Sequence, residues 1–480
     1  MKRYDLIIIG GGVAGLVSAS GASQLGARVA LIEKLSLGGD CLRAGCVPTK
    51  RLIESAKVAS AVKGAGRFGL RVNGAKVDFS AVMESMRKVQ AKIGENDAPE
   101  RFRSMGVEVV FGSGRFTDPH TFEVNGQRLW GRRFIIATGS SPLDPAMLSI
   151  PGLKEAGTLN NESALELERL PQSIIILGGG PIGVEFGQIF ARLGSKVTII
   201  ERHGQLLSRE DKELAEMLGK ALVAEGIDIE FGFEVKEVVN AGGKKAVYGR
   251  SLKGDKVFRA EEIMLAAGRT PNVGGLNLEA AGVEYDKKKG IKADKALRTT
   301  QKHIFACGDV AGPYAFTHVA EYHAGIALGN ALFPIFMRKA DYRVVPWTTF
   351  SDPELARVGL TEDEARARFG EDSMRVYRFP FKKVDRAVIE EEPEGLIKLV
   401  CDTKGRILGA HILGPGAGEL LPEYVLAMRK KIPVKEISRS IHVYPTVAQG
   451  LKRAADEYYR AKLFTGWFPK IARFIVRRGR

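Results

Sequence analysis

What this chain has little of removes several classes of protein. No stretch of its 480 residues approaches the ~18 consecutive apolar residues that a membrane-spanning helix requires. Cysteine occurs only four times, too few for the disulfide scaffold of a small secreted domain. Zinc-finger, RNP and basic-zipper patterns are missing, so the net charge of +16 does not mark a reader of nucleic acid. That charge suits acidic partners of another kind, nucleotides or an anionic membrane face. The opening MKRYDLIIIGGGVAGL imitates a signal peptide, yet Asp5 and the glycine cluster fit a strand and tight turn, and no A-x-A-like cleavage site follows. A cytoplasmic protein is expected. The length exceeds what one core usually supports, so two to four domains are expected.

What is present is a unit that occurs twice. Residues 5–33 read DLIIIGGGVAGLVSASGASQLGARVALIE, and residues 173–201 read SIIILGGGPIGVEFGQIFARLGSKVTIIE. Both run strand, G-x-G-x-x-G, helix, Leu-Gly, strand, Glu, and in both the acid stands 23 positions after the first glycine. A lone G-x-G-x-x-G is weak evidence; a copy that follows an apolar strand, opens a helix and ends in an acid is the full dinucleotide fingerprint. Gly10 and Gly178 make the tight turn, Gly12 and Gly180 let backbone approach a pyrophosphate, and Gly15 and Gly183 let helix and strand pack closely. The helix N-terminus stabilises the phosphate charge. Glu33 and Glu201 accept hydrogen bonds from a ribose 2′-hydroxyl. Two βαβ units with tight turns and no ligand are the alternative, which leaves the matched spacing unexplained. A carboxylate at Glu201 repels a 2′-phosphate and favours NAD(H), although Arg202 and His203 follow directly, so NADPH is not excluded.

Residues 38–50, GGDCLRAGCVPTK, hold Cys41 and Cys46 five apart in a segment that reads as a helix start. Five helical residues rise ~7.5 Å, beyond the ~7 Å Cα limit for a disulfide, so bonding them needs a distorted turn that Gly45 would ease. Such a strained bond is easily reduced, and both the helix onset and Lys50 favour a thiolate. A metal half-site or unpaired structural thiols are the alternatives. Cys307 and Cys401 sit in apolar segments and read as packing residues.

G-G-x-C-x4-C-V-P-x-K after an N-terminal fingerprint resembles the flavoprotein disulfide reductases, the family of dihydrolipoamide dehydrogenase, glutathione reductase and mercuric reductase. ATGS (Ala137 to Ser140), AAGRTPN (Ala266 to Asn272), IFACGDVAG (Ile304 to Gly312), HVAEYHAG from His318, and FSDPELARVGLTE from Phe350 extend the likeness over nearly the whole chain. The resemblance implies an α/β fold with two Rossmann-like dinucleotide-binding domains, one inserted in the other, and a C-terminal α+β dimerisation domain. Its parts would be 1–150 and 271–344 for FAD, 151–270 for NAD(P), 345–457 for dimerisation and 458–480 as a basic tail. It implies FAD at the first fingerprint, held also by Gly39, Gly114, Thr138, Gly139, Asp309 and His318. NAD(H) would sit at the second, with Gly268 nearby. Hydride would pass from nicotinamide to flavin and electrons on to the disulfide, with Cys46 the flavin-proximal thiol and Cys41 the interchange thiol. Lys50 and Glu185 match the family's ion pair beside the flavin ring. No resident metal is expected.

Dithiol-reducing members of that family end in His-Pro-Thr-x-x-Glu, whose histidine shuttles the thiol proton. Here the aligned residues are Tyr444, Pro445, Thr446 and Gln449, within IHVYPTVAQG. His442 lies two positions away, which turns it to another face. Tyrosine, whose phenol ordinarily ionises near pH ~10, is a poor base but donates a hydrogen bond or ligates a cation. Mercuric reductases resemble this chain in placing a tyrosine there, yet they carry a C-terminal cysteine pair, and here no cysteine follows Cys401. The expected function is therefore electron transfer from NADH through FAD and the Cys41–Cys46 pair to a disulfide, metal ion or other small acceptor. The rivals are a dihydrolipoamide dehydrogenase-type enzyme and a membrane-associated redox sensor or complex subunit. A homodimer is expected, with Tyr444 of one subunit facing Cys41 of the other.

The tail from Tyr458, YYRAKLFTGWFPKIARFIVRRGR, has seven basic residues and no acid. Leu463, Phe464, Trp467, Phe468, Ile471, Phe474 and Ile475 recur at helical spacing, bent at Gly466 and Pro469. Such a stretch suits an anionic membrane surface, the dimer partner or another protein.

Overall fold

Lys2–Ile9 form a strand, β1, in which Leu6, Ile7 and Ile8 are all fully buried, as in a parallel strand covered on both faces. The computed structural model describes every residue except 75, 252–253, 465–467 and 479–480, together with the side chains of all described residues but 241, 468, 470 and 478. The chain divides into two units, Met1–Gly178 with Arg192–Ser195 and Glu234–Asp341, and Gly179–Ala191 with Lys196–Phe233 and Tyr342–Arg480.

In the first unit β1 leads through α1 (Val13–Gln24), β2 (Val29–Glu33), α2 (Gly39–Arg43), α3 (Cys46–Lys63) and β3 (Glu108–Phe111) to a run of β4 (Gly114–Asp118), β5 (Thr121–Val124) and β6 (Gln127–Ile136). The sheet order is β3-β2-β1-β6-β5-β4, and the strand Ile304–Ala306 adds to β6. β1 lies parallel to β2 and β6, whereas β4, β5 and β6 meander antiparallel. Tyr4, Ile7, Ile32, Phe116, Phe122 and Phe134 form the core on one face, with the Phe116 and Phe122 rings edge to face at 5.0 Å. The strand Ser173–Leu177, which begins the second fingerprint, pairs parallel with Glu262–Leu265.

The second unit contains most of α4 (Pro181–Leu193), then β7 (Lys196–Glu201), α5 (Lys212–Ala224) and β8 (Asp228–Phe231), with β7 and β8 parallel. It continues with β9 (Pro346–Thr349), β10 (Glu354–Gly359), α6 (Glu362–Phe369), β11 (Met374–Pro380), β12 (Leu396–Asp402) and β13 (Ile407–Gly414), and ends in α7 (Gln449–Phe464) and α8 (Phe468–Arg478). β9 to β13 form an antiparallel sheet ordered β9-β10-β13-β12-β11. Its core takes Phe381, Ile397, Ile412 and Tyr424, with Leu451, Ala454 and Ala455 of α7 packed on it. Of the tail residues singled out in the sequence, Gly466, Trp467 and the side chain of Phe468 lie outside what is described. No described helix is long and apolar enough to cross a membrane.

Register sets a row of basic side chains across this sheet. Arg357 stands opposite His411, His411 opposite Lys398, and Lys398 opposite Arg378. Directly opposed residues share a face. Lys398 and the two arginines are answered by acids from the start of α5 and from α6, while His411, kept neutral by burial, bonds the Leu360 carbonyl at 2.9 Å. Lys398, only 2% exposed, reaches Asp211 at 2.8 Å, Glu213 at 2.9 Å and Glu362 at 2.7 Å. Arg378 holds Glu213 at 2.8 Å and Glu362 at 2.5 Å, and Arg357 holds Glu364. Lys398 is tolerated at this depth because it is paired three times over; removing its acids would strand it.

Glu210 is not satisfied in this way. Trp347 Nε1 donates to one of its oxygens at 2.5 Å, while the other oxygen is buried without a partner. Burial pushes its carboxyl up to about 7 from the ordinary 4.5, against the pull of Trp347 and Arg357. Unfolded, the group ionises near 4.5; folded, it resists until about 7. Its contribution therefore turns unfavourable as pH rises through that window and is complete above it. Glu210→Gln should raise unfolding stability at pH 8 by roughly 1–3 kcal/mol. The gain should nearly vanish at pH 5, as read by thermal denaturation at the two pH values.

Candidate active site

The β1–α1 turn is built by exclusion of side chains. Gly10 has φ +111°, and a Cβ there would meet the backbone of Ala137; a Cβ on Gly15 would meet the Gly10 carbonyl. Gly12 caps α1 with no side-chain hydrogen bond, so the first-turn amides are not capped by the protein. Glu33 closes the turn from below: the Gly11 amide donates to one carboxylate oxygen at 2.6 Å and the Leu35 amide to the other at 2.8 Å. This is a cradle for a phosphate, with an acid beside it for a ribose.

The second fingerprint repeats the device. Gly178 has φ +117°, with the Ala266 carbonyl oxygen where its Cβ would be. A Cβ on Gly180 would meet nothing within 4 Å, leaving open space above the turn, and Gly183 is buried in the first turn of α4. Glu201 accepts from the Gly179 amide at 2.7 Å and from the His203 amide at 2.8 Å. Both acids thus do a second job that spacing alone does not reveal, bracing the glycine turn from the end of the next strand.

The cysteine segment is pinned onto the first turn. Gly39 has φ +61°, and a Cβ on it would stand 2.6 Å from the Gly12 Cα. The expected single helix start is instead two helices, α2 carrying Cys41 and α3 opening at Cys46, with Ala44 and Gly45 non-helical between them. That break is the distortion the spacing demanded. The structure holds the pair as thiols, with Cys46 exposed and Cys41 half-buried. The expected preference for thiolate does not hold at Cys41. Its hydrogen bond with Cys46 and its burial push the thiol up, against a weaker downward pull from the Thr317 hydroxyl. Two acids sharing one hydrogen bond do not ionise together. Thr317 Oγ1 lies 3.5 Å from Cys46 Sγ, at the start of the helix Thr317–Leu332.

Asp309 is half-buried in the turn after Ile304–Ala306, and burial raises its carboxyl above the usual range. Ser140 donates to it at 2.7 Å, Arg269 donates to Ser140 at 2.8 Å, and Arg269 also pairs with Asp40 at 3.0 Å. One guanidinium therefore joins the Asp309 turn to the residue preceding Cys41. His323, fully buried and lowered by burial to about 4, stays neutral and accepts the Gly308 amide at 3.1 Å. Thr138 and Asn272 exchange hydrogen bonds at 2.7 and 2.9 Å, tying ATGS to GRTPN beside Gly139 (φ +68°) and Gly268 (φ +135°). His318 stacks on Phe316 at 5.3 Å, and Gly114 opens β4 where a Cβ would strike the Phe122 ring.

Lys50 lies half-buried in the first turns of α3. Glu185 is buried in α4 and accepts the Phe350 amide at 2.9 Å. Cys307 and Cys401 are fully buried, and burial pushes both thiols up, as packing residues require. Tyr444 is 62% exposed and donates to Asp385 at 2.9 Å, which raises its phenol. His442 turns instead to Glu423 at 3.2 Å. Among the described residues no cluster of three or more His, Cys, Asp or Glu is arranged to hold a metal. Thr317 and Asp385, and the roles of Asp40, Ser140 and Arg269 within their motifs, escaped the sequence reading because each acts through a partner more than 50 positions away.

This arrangement defines a nucleotide-dependent dithiol oxidoreductase. The chain belongs to the pyridine nucleotide-disulphide oxidoreductases, whose family model matches residues 4–324 and whose dimerisation-domain model matches residues 345–455. Members of that family are enzymes that bind FAD and NAD(P)H. The chain is 35% identical over 454 residues to a mercuric reductase of Lysinibacillus sphaericus, covering 94% of this chain and 82% of the relative. It is also 35% identical to a dihydrolipoyl dehydrogenase of Thermus scotoductus, covering 96% of this chain and 98% of the relative. Among solved structures it resembles the Cu(II) complex of the HOCl-induced flavoprotein disulfide reductase RclA from Escherichia coli, with TM-score 0.85 and 29% identity over 95% of this chain and 100% of that one.

Thr317→Val removes the hydroxyl that lies beside both thiols. The pH at which the reduced pair ionises, followed by thiolate ultraviolet absorbance, should rise by about one unit.

Proposed function

We propose that this protein is a cytoplasmic homodimeric NADH oxidoreductase in which Cys41 and Cys46 carry electron pairs to a small acceptor, with a metal ion as the favoured class. FAD would lie on the first glycine turn, in 1–150 and 271–344, and NAD(H) on the second, in 151–270. The chemistry the two nucleotides supply is hydride transfer from nicotinamide to flavin. The chain does the rest. Gly10, Gly12 and Gly15 with the α1 amides hold a pyrophosphate, Glu33 a ribose, and Asp309, steadied by Ser140 and Arg269, the remainder of the FAD chain. Lys50, with Glu185 as its family partner, supplies positive charge near the ring. Two electrons and two protons convert the Cys41–Cys46 disulfide into the dithiol, and one two-electron acceptor such as Hg(II), or two one-electron acceptors such as Cu(II), returns it to the disulfide with release of two protons. The observation that carries this reading is the contact of Gly39 on Gly12, which sets the dithiol segment directly against the phosphate cradle.

The acceptor is argued from Tyr444. Its phenol is held by Asp385 and raised by it, so it keeps its proton at neutral pH and does not serve as the base that dithiol exchange requires. Phenol and carboxylate oxygens are nonetheless cation ligands. The mercuric reductases among the relatives and the Cu(II) complex of RclA point the same way. The equally similar dihydrolipoyl dehydrogenase supports a second reading, lipoamide chemistry with altered proton handling.

An acceptor screen on the FAD-loaded protein separates the two. NADH oxidation driven by Hg(II) or Cu(II) should exceed that driven by lipoamide, and Tyr444→Phe should lower the metal-driven rate while NADH-to-dye turnover stays unchanged. Lipoamide turnover as fast as dye turnover would instead establish the second reading. The nucleotide assignment has its own test. Glu201→Gln leaves one acceptor for two amides and removes the charge opposing a 2′-phosphate, so the ratio of kcat/KM for NADH over NADPH should fall by about tenfold.

A further inference from the structure

We propose that α8, together with the end of α7, is a docking helix that lies in the plane of an anionic phospholipid bilayer. This goes beyond the redox reading and does not depend on it. Ile471, Phe474 and Ile475 recur at three- and four-residue spacing on α8 and are 44%, 57% and 64% exposed, and Phe464 at the end of α7 is 75% exposed. Four large apolar side chains facing outward over so short a length are more than scattered surface hydrophobics. Arg473 and Arg477, both exposed, lie one turn apart and more than about 100° around the helix from the middle of that stripe. The helix therefore presents an apolar edge flanked by cations, the arrangement that settles at the boundary between headgroups and acyl chains.

Charge chooses the occupant. No acidic residue follows Glu457, while seven basic residues do. Among them Arg460 is paired backwards, to Glu457 at 2.8 Å, and Lys462 lies over the Tyr458 ring. A second copy of the tail would bring like charge against like charge. The match to the family's dimerisation domain ends at residue 455, before the stripe begins. An anionic headgroup layer supplies the opposite charge and an apolar phase at once.

Flotation of the full-length FAD-loaded protein with vesicles of phosphatidylcholine, with and without phosphatidylglycerol, tests this. Binding is expected only with the anionic lipid and should weaken at high salt. Arg473→Glu combined with Arg477→Glu should lower partitioning by about tenfold or more. Phe474→Ser combined with Ile475→Ser should abolish it, because screening does not replace lost apolar contact. All variants should keep NADH-to-dye activity and the mass of the wild-type oligomer, which shows that they are folded. No binding of wild type to anionic vesicles would overturn the proposal, as would equal binding of wild type and both double variants. Dissociation of the oligomer in the Phe474/Ile475 variant, with no lipid effect, would assign the stripe to a second copy instead.

Discussion

The first glycine turn is the constraint on which the redox site depends. The Gly10 carbonyl occupies the volume of a side chain at Gly15, the Ala137 backbone occupies that of a side chain at Gly10, and Gly39 lies against the Gly12 Cα. Three separate stretches meet there with no room for a Cβ. Because the turn is that tight, the cysteine segment is laid directly beside it. Glu33 secures the turn from the next strand by accepting two backbone amides, so one side chain both shapes the loop and leaves a carboxylate at its edge. The same economy recurs at Glu201.

A second layer of order is electrostatic. Arg269 connects Asp40, one residue before Cys41, to Ser140 and through it to Asp309. The position of the dithiol is thereby tied to a buried carboxyl whose own burial makes it dependent on those partners. In the second unit Arg357, Lys398 and Arg378 of one cross-strand row are paired with acids from the start of α5 and from α6, while His411 between them is held neutral by burial. Buried ion pairs of this kind add little net stability but penalise every misregistered alternative, since a one-residue slip of β12 would turn Lys398 to the other face.

At the substrate end, local hydrogen bonding separates two neighbours. Tyr444 turns to Asp385 and His442 to Glu423, so the histidine that would suit proton transfer is engaged elsewhere and the residue in its family position is a phenol held protonated. In the proposed function the electron-carrying half of the family's apparatus is kept and the proton-carrying half replaced, which is the physical basis for proposing an acceptor other than a dithiol.

Much of this was legible in the residues themselves. The two G-x-G-x-x-G units, their acids, the cysteine pair and the distorted turn between its members follow from spacing, because phosphate approach and disulfide geometry are local requirements that the chain must meet within a few residues. The amphipathic tail was legible for the same reason, through helical periodicity. Thr317 beside the thiols, the Asp40–Arg269–Ser140–Asp309 chain, the Asp385 partner of Tyr444, the unpaired oxygen of Glu210 and the basic row across β10 to β13 were not. Each joins residues far apart in sequence, and whether a charge is buried, paired or left facing water is settled only when strands take register and helices pack. Sequence alone determined the two nucleotide fingerprints and the spacing of the cysteine pair; tertiary structure decided how their protons and charges are held, because burial and distant partners set those energies.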